Sequence, residues 1–224
     1  MLALTFSHAS RGRLTSRDAD RFPGSTLFDR IGRTVCEAGC LPRKELYEAW
    51  EVARRTRRLF RGGRVVDLGG GHGLLAHVML ILDDSSPAAV VVDKASPPCA
   101  EAVSAALVRA WPRLADRVSR VTADLDAVVI HSDDVVVASH ACGRLTDVAI
   151  EKAAASGARL AVLPCCHDVA ACDTAGLEGW MDDALAIDAV RAVRLRERGY
   201  RVWTQAIPGD ITPKNRLLLA APTG

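Results

Sequence analysis

The stretch Val65-Val66-Asp67-Leu68-Gly69-Gly70-Gly71-His72-Gly73-Leu74 decides how this chain of 224 residues folds. A β-branched apolar run ends on a carboxylate, residues 69–73 contain four glycines, and residues 74–82 are almost wholly apolar. That pattern predicts strand, glycine turn and buried helix. Without Cβ atoms the turn can reverse sharply, adopt positive φ and lie flat against a ligand. In open α/β sheets such a ligand sits at the carboxyl end of the strand. The dinucleotide fingerprint G-x-G-x-x-G/A fails here, because counting from Gly69 puts Leu74 where the third small residue belongs.

The spacing present is D-x-G-x-G-x-G, through Asp67, Gly69, Gly71 and Gly73. On these residues the chain resembles the class I S-adenosylmethionine-dependent methyltransferases, whose first motif has this form. The resemblance implies an α/β fold with a Rossmann-like sheet, mostly parallel with an antiparallel closing strand. It implies S-adenosyl-L-methionine as cofactor, with its amino-acid end near Asp67 and the glycines Gly69, Gly70, Gly71 and Gly73.

Working outward, residues 88–93 form a second apolar strand whose terminal Asp93 follows Asp67 by 26 positions. A carboxylate so placed can accept both ribose hydroxyls, and its competing role is a helix N-cap. A third strand over 118–124 again ends in an acid. The resemblance places the adenine amino group at Asp124 and the adenine ring on Leu125; a plain turn aspartate is the alternative. Lys94 and Ser139 complete the candidate cofactor set. Strands four and five are expected at 135–138 and 160–163, helices at 97–111, 146–157 and 181–198, and an antiparallel closing pair at 200–207 and 216–220.

Two clusters follow the fourth and fifth strands, His140/Cys142 and Cys165/Cys166/His167. Three interpretations stay open for them. They are small residues lining a pocket, a general base, His140 or His167, taking the acceptor's proton, or a metal site, against which adjacent Cys165 and Cys166 argue; no metal is assigned. The segments SHACGRLTD and LPCCHD are similar to a methyltransferase subgroup with HxCG…TD and CCH segments. It includes a eukaryotic tRNA 2′-O-methyltransferase and methyltransferase-like proteins of unassigned substrate. The zinc-finger region at the front of the tRNA enzyme has no counterpart here.

The front of the chain is basic. Residues 1–64 hold 14 Arg and Lys against 7 Asp and Glu, a net +7, whereas the remainder holds 15 against 20, a net −5. Helices are expected over 26–38 and 43–60, preceded by a weakly ordered basic arm over 1–25. Arg54, Arg55, Arg57, Arg58 and Arg61 crowd the end of the second helix, as a solvated face or as a surface for RNA phosphates. The expected division is a basic helical segment, 1–61, and a methyltransferase domain, 62–224. No apolar run approaches the ~18 residues that span a bilayer, and residues 1–14 lack the order of a signal peptide. Seven cysteines, two of them adjacent, argue against a disulfide framework and for reduced thiols in a cytoplasm. Cys36 and Cys40 read as buried small residues rather than a metal pair. The acceptor is RNA or a small molecule, a regulatory or scaffold protein that binds the cofactor without turnover is the alternative, and nothing indicates the oligomeric state.

Overall fold

The computed structural model describes residues 7–223, so the expectation of weak order over 1–6 lies outside the described residues. Five parallel strands, β1 (Val65–Leu68), β2 (Ala89–Asp93), β3 (Val118–Thr122), β4 (Val135–Ala138) and β5 (Arg159–Val162), and two closing strands, β6 (Tyr200–Ala206) and β7 (Arg216–Pro222), form one sheet in the order β3-β2-β1-β4-β5-β7-β6. Strand β7 runs antiparallel to β6, as the short connection between them requires, and also to β5. The order reverses between β1 and β4, and there the carboxyl ends of the strands open a crevice.

Helices cover both faces, which explains why β1 and β4 are apolar at consecutive positions. Val65, Val135 and Val137 face α3 (Leu74–Leu82) and α4 (Cys99–Ala110), with α1 (Leu27–Ala38) and α2 (Arg43–Leu59) in the same apolar cluster. The alternate residues Val66, Leu68, Val136 and Ala138 face α5 (Arg144–Ser156) and α6 (Asp183–Glu197). Thr26 caps α1 by accepting from the Asp29 N–H at 3.1 Å, and Asp182 caps α6 by accepting from the Leu185 N–H at 3.2 Å. No helix among the described residues is long and apolar enough to cross a membrane.

Three expectations need correction. The arm ahead of α1 is anchored rather than loose from residue 7 onward. It holds a 3-10 helix at Ser16–Arg21, buries Leu14 and Phe22, and packs Phe22 so tightly on α1 that a Cβ at Gly32 would lie 2.4 Å from its ring. Two isolated apolar residues carried too little periodicity to announce this. Second, Cys40 and Cys99 form a disulfide, Cα to Cα 5.9 Å, joining the turn after α1 to the first residue of α4. The expectation of reduced thiols fails at this pair, and Cys36 is left buried and free. Third, Arg57 is buried. Its guanidinium donates to the Met79 carbonyl at 3.1 Å and the Ser86 hydroxyl at 2.7 Å, and pairs with Asp83 at 3.2 Å.

Candidate active site

The Gly69–Gly73 turn is held from three sides. The N–H groups of Gly69 and Gly70 donate to the Val92 carbonyl at 2.8 and 3.2 Å, the Gly71 N–H donates to Asp93 Oδ2 at 2.9 Å, and Arg120 of β3 donates to the Gly71 carbonyl. Two glycines are required for opposite reasons. A Cβ at Gly70 would lie 2.7 Å from the Asp67 carboxyl carbon and 2.8 Å from Val91, whereas one at Gly71, with φ +50°, would meet nothing within 4 Å. The turn is therefore filled underneath and open above, as a surface receiving a ligand must be.

Asp67 lies beneath this turn, on the α3 face of β1. It accepts from the Ala76 N–H at 3.3 Å, while its Oδ1 is buried without a partner. Burial pushes its carboxyl up to about 7 against the relief of that one hydrogen bond. Asp93 ends β2 with one oxygen committed to Gly71. Lys94 and Asp124 are ion-paired to each other at 2.7 Å and exposed, Leu125 is buried beside them, and Ser139 is buried at the end of β4.

His140 is half-buried just past β4. Burial lowers its pKa below the usual imidazole value, opposed by the negative charges of Glu45 and Glu48. A neutral ring has a free nitrogen to accept a proton. Glu45 comes from the first turn of α2 and hydrogen-bonds His72 of the glycine turn. Burial pushes Glu45 up, but the hydrogen bond and charge of His72 together with the charges of His140 and Lys44 hold the carboxyl low. One turn along α2, Glu48 is buried, pairs with Lys44 at 3.2 Å, and leaves Oε2 without a partner. Neither glutamate nor His72 carried a sequence signal beyond its residue type. Arg120 was equally silent, as one basic residue in a strand.

His167 has other neighbours. Its Nε2 lies 2.8 Å from Asp188, which also pairs with Arg191 at 3.2 Å and Arg216 at 2.7 Å. The thiols of Cys142 and Cys165 meet at 2.9 Å. Both are pushed up, chiefly by burial. The two sequence clusters thus converge through their cysteines, while their histidines occupy different surroundings.

A family model described as a methyltransferase domain matches residues 45–175, from the first turn of α2 to the loop beyond β5, more than half of the sequence. The chain belongs to this methyltransferase family. Solved structures agree on the fold. The O-methyltransferase TomG from Streptomyces achromogenes, involved in tomaymycin synthesis and solved in complex with SAM, is 16% identical with a TM-score of 0.58, covering 96% of this chain and 99% of its own. Cofactor-bound Rv0187 from MTB is 20% identical with a TM-score of 0.57, covering 91% of this chain and 95% of its own. An O-methyltransferase family protein from Burkholderia thailandensis is 18% identical with a TM-score of 0.52, and 95% of this chain spans only 64% of it. No curated protein sequence matches the chain.

In this methyltransferase the arginines at the end of α2 are divided. Arg57 is buried, and Arg54 and Arg55 pair with Glu51 at 2.8 and 2.9 Å. Arg61 donates to the Leu82 carbonyl at 3.1 Å, and Arg58 is exposed. The anchors Met79, Leu82, Asp83 and Ser86 all lie from the last turn of α3 to the loop before β2. Arg57 and Arg61 are therefore at the amino edge of the sheet, opposite the glycine turn, whereas Arg55 also donates to Gln205 near the carboxyl end of β6 at 3.3 Å.

Proposed function

We propose that the protein transfers a methyl group from S-adenosyl-L-methionine to a small neutral or cationic acceptor. The observation that carries the cofactor is the turn filled beneath Gly70 and open above Gly71, with Asp93 beside it. The residues fit the group: Gly69, Gly70, Gly71 and Gly73 offer a flat backbone to its amino-acid end, and Asp67 supports them from below. Asp93 Oδ1, which accepts only a long 3.4 Å hydrogen bond from the Ala95 N–H, faces the ribose hydroxyls in this reading. Leu125 offers an apolar surface to the adenine, with Asp124, Lys94 and Ser139 around it. When bound, adenosylmethionine supplies a methyl carbon already activated by its sulfonium.

The protein's own task is then to hold a nucleophile in line and manage one proton. His140, neutral at the mouth of β4, takes the proton from the acceptor hydroxyl or amine; such a base contributes roughly 10²–10⁴-fold. His167, held by Asp188, positions the loop after β5 and is the second candidate base. The acceptor class is inferred from the carboxylates of Glu45 and Glu48, whose charges raise the His140 pKa while those of His72 and Lys44 lower it. Glu45 is bound to His72 and Glu48 to Lys44, so neither basic group is left free to receive a polyphosphate. RNA keeps one supporting observation, the +7 of residues 1–64, although five of the 14 basic residues behind it lie at the end of α2, where most are tied down within the fold.

Isothermal titration with S-adenosylhomocysteine tests the cofactor assignment: the wild-type chain binds and Asp93→Ala loses most of that affinity. No binding by the wild type refutes methyl transfer, and equal binding by the variant removes only the ribose role. The acceptor class is tested by binding to total tRNA and rRNA across a salt series. An RNA site would give a log-log slope of about −0.7 to −0.9 per neutralised phosphate; weak binding without that slope supports the small acceptor.

A further inference from the structure

Three sulfurs from two loops meet at the carboxyl edge of β4 and β5. Cys142 follows β4, Cys165 and Cys166 follow β5, and their Sγ atoms all lie within 4.8 Å of one another. Among the described residues no other group of three or more His, Cys, Asp or Glu side chains converges in this way. In a tetrahedral zinc site with Zn–S bonds of about 2.3 Å, neighbouring sulfurs are about 3.8 Å apart. The Cys142–Cys165 separation of 2.9 Å therefore needs to open by less than about 1 Å to admit the ion. Adjacency in the sequence argued that Cys165 and Cys166 could not share an ion, but the folded loop brings both sulfurs within reach of Cys142.

The surroundings are built to hold this arrangement. The Gly143 N–H donates to the Cys166 carbonyl at 3.1 Å, tying the two loops together. Buried Arg191 donates to the Gly143 carbonyl at 3.3 Å and is itself fixed by Asp147 at 2.7 Å. Fixing the backbone that carries the ligands is the usual role of outer-shell groups at metal sites. Cys142 also stands directly before Gly143, the N-cap of the 13-residue α5, where the helix dipole works against the burial that pushes its thiol up. Cys142 and Cys166 are exposed and Cys165 is half-buried, so an ion can enter from solvent. A disulfide would use two of the three sulfurs and leave one idle, whereas a soft divalent cation uses all three.

We propose that Cys142, Cys165 and Cys166 bind one zinc ion as thiolates, with water in the fourth position. Binding displaces the three thiol protons, so affinity rises steeply with pH. The ion clamps together the loops that carry His140 and His167. The site stands apart from the cofactor assignment and is tested without any methylation assay.

The full chain, reduced, incubated with zinc chloride and desalted, should retain about one zinc per molecule by elemental analysis. The cobalt-substituted protein should show a thiolate-to-metal charge-transfer band. Replacing all three cysteines with serine should abolish both signals, whereas Cys172→Ser, which alters a nearby thiol outside the cluster, should keep them. No retained zinc in the reduced wild type, or undiminished zinc in the triple variant, overturns the proposal. If the triple variant does not fold, alkylation of the wild-type chain mapped by mass spectrometry decides instead. Zinc must protect Cys142, Cys165 and Cys166 but not Cys172, and equal labelling with and without zinc overturns the site.

Discussion

The two ends of α2 carry charge to opposite edges of one sheet, and the fold treats them differently. At its start, Glu45 holds His72 of the glycine turn and Glu48 is buried near His140. At its end, a denser run of charge is absorbed into the architecture, with Arg57 locking the end of α3 through Met79, Asp83 and Ser86. Charge density along a sequence is thus a poor guide to a binding surface. Two acids at the carboxyl edge shape the candidate chemistry, while five arginines at the other end mostly hold the helix down.

The largest effect should come from the carboxyl edge. His140→Ala should lower the methylation rate by roughly 10²–10⁴-fold with cofactor affinity nearly intact. In the wild type the rate should be level above neutrality and fall only below the usual imidazole pKa, since burial lowers that of His140. Full rescue by His140→Gln would remove the base and leave a hydrogen-bonding role. At the other end of the helix, Arg57→Met should cost about 1–3 kcal/mol in chemical denaturation, since the Met79 carbonyl and Ser86 hydroxyl lose a buried donor while Asp83 keeps Gly62 and Ser85. Activity per folded molecule should be unchanged. A selective loss of turnover in that variant would break the contrast between the two ends.

The next effect concerns pH. Asp67 has a folded pKa of about 7 against an ordinary 3.8, so the folded state binds more protons than the unfolded state between those values. Stability should fall as pH rises from about 4 to about 7 and stay low above. Asp67→Asn should flatten that slope and stabilise the ligand-free protein at pH 8, by ~2–4 kcal/mol at most, while weakening cofactor binding through the turn above it. A steeper slope in the variant would refute the assignment. The smallest effect should be that of Arg58→Gln with Arg61→Gln, within about 0.5 kcal/mol in stability and without influence on a small acceptor. A large loss of RNA binding in this double variant would restore the basic end as a functional surface.

What was legible in the sequence is what short-range pattern encodes. Consecutive β-branched residues marked strands buried on both faces, the glycines marked a turn that only they permit, and Pro208-Gly209 between two apolar runs demanded an antiparallel closure. Asp67, Asp93 and the glycines could be placed at the carboxyl edge because each lies at a strand end, a position fixed by local geometry. Partners were not legible, because a side chain's partner depends on which distant segment packs against it. Only tertiary structure joined Cys40 to Cys99 across 59 positions, buried Arg57 against Asp83, set Glu45 on His72, and split His140 from His167 while drawing their neighbouring cysteines together. The period of a strand or helix is written in neighbouring residues, but the pairing of charges and thiols is a property of the packed chain.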